Sequence, residues 1–266
     1  MSEQARTPNT NRRFRMARTV LALVLREIST SYGRTAIGYL WAFIEPVAGI
    51  LLLTIVFMIV AHSPPMGTSF SYFYASGLLP FFLYMDISGK IASALRFSQP
   101  LLFYPGVTFI DAIVARLLLN GLTQLIVMTT ILAGIILMER LDVILDLPAL
   151  LVAVMMAICL GLGVGTLNSF LTAVFPVWER IWAILNRPLL LVSCTFFTFE
   201  SVPSDYAKWL WFNPIVHIVG KMRQGLFPSY DGAYVSPLYV FWVGLLTTCI
   251  GLVMLSRYRS YILNDG

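Results

Sequence analysis

Apolar residues in this chain fall into runs long enough to cross a lipid bilayer, and this constrains the fold more than any other feature. A bilayer core asks for about 20 predominantly apolar residues per helix. The runs expected to meet it are 39–61, 71–90, 110–138, 147–175, 181–199 and 238–255. Across 266 residues the composition is 58% apolar and 12% charged, with a mean hydropathy of +0.81. Soluble domains carry about 25% charge. The expectation is an all-α polytopic membrane protein with six transmembrane helices in a single domain spanning 16–266. Its polar start, 1–15, reads as a disordered cytoplasmic tail.

The stretch Leu25–Pro46, LREISTSYGRTAIGYLWAFIEP, adds a second constraint. From Met16 to Tyr32, apolar residues recur at Leu21, Leu25, Ile28 and Tyr32, while Arg18, Ala22, Arg26 and Ser29 fall on another face. That periodicity predicts an amphipathic helix over 16–34 lying in the membrane interface. Seven arginines (6, 12, 13, 15, 18, 26 and 34) precede the first span, and Arg257 and Arg259 close the chain. Basic flanks stay cytoplasmic, so both termini are placed there. Nucleic-acid binding is the rival use of a basic tail, but no aromatic base-stacking pattern accompanies it.

Between the fifth and sixth runs, 200–237 is too polar to span easily yet holds Trp209, Trp211, Ile215 and Ile218. Pro214 removes a backbone donor and disfavours helix at Asn213. Two short helices broken there and dipping into the outer leaflet are expected; non-helical backbone at that depth needs shelter in protein or a water-filled cavity. A surface loop with an aromatic belt is the alternative. Lys221 and Arg223 are expected near the surface, within reach of lipid phosphates or acidic sugars.

Other chemistry is sparse. Gly89-Lys90 and Gly220-Lys221 lack the upstream glycine of a phosphate-binding loop, with Tyr84 and Ile215 in its place. Neither HExxH, GxSxG nor a Cys/His cluster occurs, and the three cysteines lie in apolar runs. No catalytic or metal-binding residue is therefore predicted. No cleavable signal is apparent, because the first span begins far from the start. Glu45, Asp86, Lys90, Asp111 and Arg116 lie near expected interfaces, where local pairing or snorkelling accounts for them. A lipid-linked-sugar enzyme is a competing reading, but it needs an assembled acid, base or metal.

Several blocks in order carry a resemblance: LREISTSYGRTAIGYLWAFIEP, GLLPFFLYM (77–85), LLFYPGVTFIDAIVAR (101–116), FPVWERIWAILNRPL (175–189) and NPIVHIVGKMRQGLFP (213–228). The chain resembles the permeases of type-2 ABC polysaccharide exporters, in particular those for capsular polysaccharide in Gram-negative bacteria; O-antigen and other surface-glycan exporters are the alternative. The resemblance implies an inner-membrane homodimer binding two copies of a separate ATP-binding subunit, with ATP and Mg on that partner and no cofactor on this chain. It also implies a lipid-linked polysaccharide substrate, and periplasmic and outer-membrane export components beyond it. The junction 97–110 would form the coupling helix, with Arg26, Tyr32, Phe97, Gln99, Phe103 and Tyr104 facing the ATPase. Unlike many relatives, 103–109 carries no basic residue.

The segment between spans five and six would form the periplasmic gate, with Trp209, Trp211, Asn213, Pro214, Ile215, His217, Ile218, Lys221 and Arg223. Six helices around one centre leave little room for a hydrated polymer, whereas two copies leave a seam. Tyr39, Trp41, Phe43, Phe81, Phe82, Tyr84, Phe196, Phe197 and Phe199 are the candidate channel aromatics, with packing or lipid-facing roles as their alternative.

Overall fold

The computed structural model describes residues 15–29, 37–61, 63–102 and 108–258, with backbone alone at 15, 37–39 and 99–102. The described residues form an all-helical structure without strands: α1 (Arg15–Glu27), α2 (Ile37–Val60), α3 (Phe70–Ala92), α4 (Ala94–Leu102), α5 (Phe109–Met138), α6 (Leu147–Val174), α7 (Trp178–Leu191), α8 (Ser204–Trp211), α9 (Pro214–Leu226) and α10 (Pro237–Arg257). Local chemistry sets several of the starts. Ser69 Oγ accepts from Tyr72 N–H at the head of α3. Thr108 and Asp111 form a reciprocal capping box on α5. Asp146 caps α6, and Asn213 caps α9 just before Pro214.

Four helical segments are long and apolar enough to cross a membrane: Leu40–Val60, Phe109–Met138, Leu147–Val174 and Pro237–Arg257. α3 has the length but a more polar sequence, and it is the shaft of the bundle, packed against α2, α5, α6 and α9. Its tyrosines and serines face protein, which removes the need for a uniformly apolar surface.

α7 departs from the expected 181–199 span. It is 14 residues long, about 21 Å at roughly 1.5 Å per residue, and the helix stops at Leu191. The chain then turns through 192–198, with Cys194 at φ 56°. Such a backbone costs a non-glycine residue about 1–3 kcal/mol, so the surroundings must hold it in place.

Glycines let the shaft and its neighbours approach closely. A methyl group on Gly161 would sit 2.9 Å from Ile87 Cγ2, and one on Gly165 2.8 Å from Ile91 Cβ, both on α3. One on Gly163 would sit 2.3 Å from Gly244 O on α10. The GLGVG run thus turns small residues toward two neighbours at once, the usual device for close helix crossings in membranes.

Two polar junctions on one shaft

At one end of the bundle, α1 docks on α5 through Val20 and Leu23 against Ala115. Leu21 and Leu25 of the predicted apolar face remain more than half exposed, and the docked face is a different one. Glu27, on that face, meets Arg116 of α5 at 3.5 Å, and both are nearly buried. Arg116 also donates to Lys90 O at 2.5 Å and Ser93 Oγ at 2.7 Å, where α3 passes into α4. Its guanidinium lies over the Phe97 ring at 4.4 Å, and that of Arg26 at 5.1 Å. One arginine therefore ties α1, the shaft and α4 together.

Two of the predicted coupling residues, Arg26 and Phe97, are brought together here. Gln99 lies in α4, described by its backbone alone, while Tyr32, Phe103 and Tyr104 lie outside the described residues. Arg116 is not a snorkelling residue but the hub of this junction, and Asp111 is spent on a helix cap. Nearby, exposed Arg96 on α4 pairs with Glu179 at the start of α7 at 2.6 Å.

At the other end, the two short helices broken at Asn213-Pro214 are present as α8 and α9. α9 is enclosed by α3, α6 and α10, with Ile215, His217 and Ile218 fully buried inside the chain. The surface position expected for Arg223 is overturned: its side chain is completely buried. It donates to Phe197 O at 2.8 Å and to Thr195 O at 3.1 Å, lies near Ser76 Oγ of the shaft at 3.4 Å, and sits over the Phe73 ring at 4.5 Å. The carbonyls freed by the turn after α7 are thus taken by a guanidinium fork. Gly77 makes room, since a methyl group there would sit 2.8 Å from Thr195 O.

His217 is similarly committed. Nε2–H donates to Trp211 O at 2.8 Å, and Nδ1 accepts from Ser236 N–H at 3.1 Å, which fits one neutral tautomer. Asn213 Nδ2 reaches Val192 O at 3.0 Å, joining the α8–α9 break to the end of α7. Trp209 is largely exposed and Lys221 bonds to Gln224. Tyr230 donates to Glu200 at 3.2 Å and lies 3.1 Å from the Tyr234 hydroxyl. Burial pushes both phenols up, so both stay protonated donors.

The predicted channel aromatics separate into groups. Trp41, Phe81 and Phe82 line one cavity between α2, α3 and α5. Tyr84 is buried in the shaft's own packing and Phe43 packs against the shaft. Phe196 and Phe197 belong to the Arg223 turn, and Phe199 stacks on Tyr234 at 4.0 Å between ring centres. Tyr39 is described by its backbone alone. Glu27, Ser93 and the carbonyls of Thr195 and Phe197 went unnoticed in the sequence. The arginines were visible there, but a carbonyl acceptor has no residue signature. Among the described residues, no group of three His, Cys, Asp or Glu side chains could hold a metal.

The ABC-2 type transporter family matches residues 18–227, which include both junctions. The chain is 34% identical over 242 residues to the polysialic acid transport protein KpsM of Escherichia coli, covering 91% of this chain and 93% of that protein. It is 24% identical to the capsule polysaccharide export inner-membrane protein CtrC of Neisseria meningitidis, covering 91% and 92%. With BexB of Haemophilus influenzae, also a capsule polysaccharide export inner-membrane protein, it shares 25% identity over the same proportions.

Proposed function

Because the chain belongs to the ABC-2 type transporter family, we propose that it is the membrane permease of an exporter that moves lipid-linked capsular polysaccharide across the inner membrane. The observation that carries this reading is similarity along 91% of the chain to proteins named for capsule polysaccharide export and polysialic acid transport. Energy comes from a separate ATP-binding subunit holding ATP and Mg, since this sequence has no phosphate-cradling loop. The permease itself catalyses no reaction.

In this reading α2, α3, α5, α6, α7 with its following turn, and α10 make six crossings. The arginine-rich start and Arg257 put the α1 end, and both termini, in the cytoplasm. Leu21 and Leu25 then meet the lipid boundary while Glu27 is held on α5. α8 and α9 re-enter from the periplasmic side. Polar backbone at that depth is sheltered by His217, on Trp211 O of α8, and by Arg223, on the carbonyls of the turn after α7.

Two copies form the channel. No residue of α7 is buried within one chain, and most of α2 is likewise uncovered. Those faces meet the second copy or line the seam that the polymer crosses. Periplasmic and outer-membrane export components receive it. Movement of α4 against the ATPase passes through Phe97 and Arg116 to the shaft, whose far end touches Arg223 at Ser76.

Co-purification tests the reading. The permease should isolate with its neighbouring ATP-binding subunit, and ATP hydrolysis should vanish when that subunit is removed. Phe97→Ala should weaken the association or uncouple hydrolysis from export, because a lost aromatic anchor costs about 2 kcal/mol or more at an interface. Hydrolysis by the permease alone would contradict the assignment.

A further inference from the structure

Two exposed charges lie deep along their helices without a partner in their own chain. Arg187 is on α7, which starts at the α1 end beside Arg96. At roughly 1.5 Å per residue it lies about 13 Å beyond Trp178. Glu45 is on α2, about 12 Å beyond Ile37 on the same scale. It borders the cavity between α2, α3 and α5, which it shares with Asp86 and Lys90 near the α1 end of the shaft. Among the described residues, neither Arg187 nor Glu45 makes a hydrogen bond or an ion pair. A bilayer core is about 30 Å thick, so in the six-crossing arrangement both charges lie well inside it. A charge facing lipid at the centre of a helix costs about 2.5–3.5 kcal/mol, and such residues turn instead to water or to an opposite charge. Arg180 is on the same exposed face of α7 two turns nearer its start, where its side chain reaches the interface. Arg187 is too deep to do so.

Elimination narrows the acids that could meet Arg187. Among the described carboxylates, Glu27 and Glu179 are already paired with arginines, Asp111 closes a helix cap, and the remainder other than Glu45 and Asp86 belong to the α8–α9 end. Asp86 is half-buried and shares a helix face with Lys90, whereas Glu45 is exposed at the mouth of the cavity. Trp41, one turn before Glu45, is 62% exposed and lines the same mouth. We propose that in the dimer Arg187 of each copy enters the mouth of the other copy's cavity and forks onto Glu45, with its guanidinium against Trp41. The occupant of both faces is thus a second copy of this chain. A two-fold axis makes the contact reciprocal, so the same pair forms twice. The faces involved are those a single chain leaves uncovered, since no residue of α7 is buried. The proposal rests on the two-copy channel of the export reading and adds which faces join and which charges set their register.

The test follows dimer dissociation on dilution of the detergent-solubilised permease with its ATP-binding subunit, read by mass photometry. Glu45→Gln and Arg187→Gln should each raise the midpoint concentration about tenfold or more, the scale of a lost charge pair at an interface. Arg180→Gln should leave it unchanged. Exchanging the charges, Glu45→Arg with Arg187→Glu, should recover most of the loss, because the pair is restored with its signs reversed. Where these variants do not fold, crosslinking in membrane vesicles carries the test, in a Cys249→Ala background because Cys249 is exposed. A short bismaleimide should join copies carrying Glu45→Cys with Arg187→Cys far more than copies carrying Glu45→Cys with Arg180→Cys. Single variants that dimerise like the parent, an exchange that recovers nothing, or equal crosslinking of the two cysteine pairs would each overturn the proposal. So would an Arg187→Gln variant with an unaltered dimer that slows only the passage of acidic polymer, which would put this arginine in the seam instead. A parent complex holding one permease copy would reject the two-copy channel itself, whereas a dimeric parent without the 45–187 crosslink rejects the pair alone.

Discussion

Arg223 is the side chain on which the α9 end depends most. Its guanidinium fork satisfies two carbonyls that no other described donor reaches, in a turn that also carries a left-handed Cys194. Arg223→Met should destabilise the protein by about 2–4 kcal/mol, through lost charged hydrogen bonds and buried, unpaired carbonyls. Arg223→Lys should recover only part of this, since an ammonium is a point charge without the planar fork. Thermal unfolding of the purified complex checks both, and a melting temperature unchanged in Arg223→Met would contradict the assignment. The sequence places Arg223 near the surface, whereas the structure buries it. Its real partners are main-chain oxygens of residues about 26–28 positions earlier, and sequence patterning carries no trace of them. Glu27 and Arg116 lend themselves to a second prediction. Glu27→Gln should leave the arginine's charge poorly compensated and cost about 3 kcal/mol or more. Coupling of this variant to Arg116→Met in a double-mutant cycle should be non-zero, and strict additivity would show the pair to be independent.

At the scale of elements, the GLGVG run of α6 holds the close crossings with the shaft and α10. Gly163→Ala places a carbon 2.2 Å from Thr247 Oγ1 and 2.3 Å from Gly244 O, so the helices must part. The cost should be about 1–3 kcal/mol. Gly134→Ala is the control, because a methyl group there meets nothing within 4 Å. It should be neutral or stabilising by up to about 1 kcal/mol. Unfolding midpoints of the two variants decide the matter, and equal losses would contradict the crossing geometry. The α8–α9 break was legible in the sequence, because Asn213-Pro214 is a local signal. The four most apolar helices were legible for the same reason. The length of α7 was not. Its apolar run continues past Leu191, and only the Arg223 cradle explains why the chain turns at 192–198 instead.

For the whole molecule, the two junctions lie at opposite ends of one shaft, so force applied at α4 has a continuous route to the α8–α9 pair. Topology is the first consequence to check. Single cysteines placed at Ser2 and Asp265 should resist a membrane-impermeant thiol reagent in intact cells and react after permeabilisation. Labelling of either one from outside would refute the six-crossing arrangement. The family was legible from five ordered sequence blocks, whereas the cavity between α2, α3 and α5 was not. Glu45, Asp86 and Gln124 come from three helices, and only their packing brings them together. ATP-driven export through this permease is the activity to which all three scales lead. It is tested most directly by co-reconstituting the chain and its ATP-binding subunit in vesicles with fluorescently labelled lipid-linked polymer. Polymer should cross the bilayer only when ATP, Mg and both proteins are present. Equal movement without ATP, or with the permease left out, would contradict it.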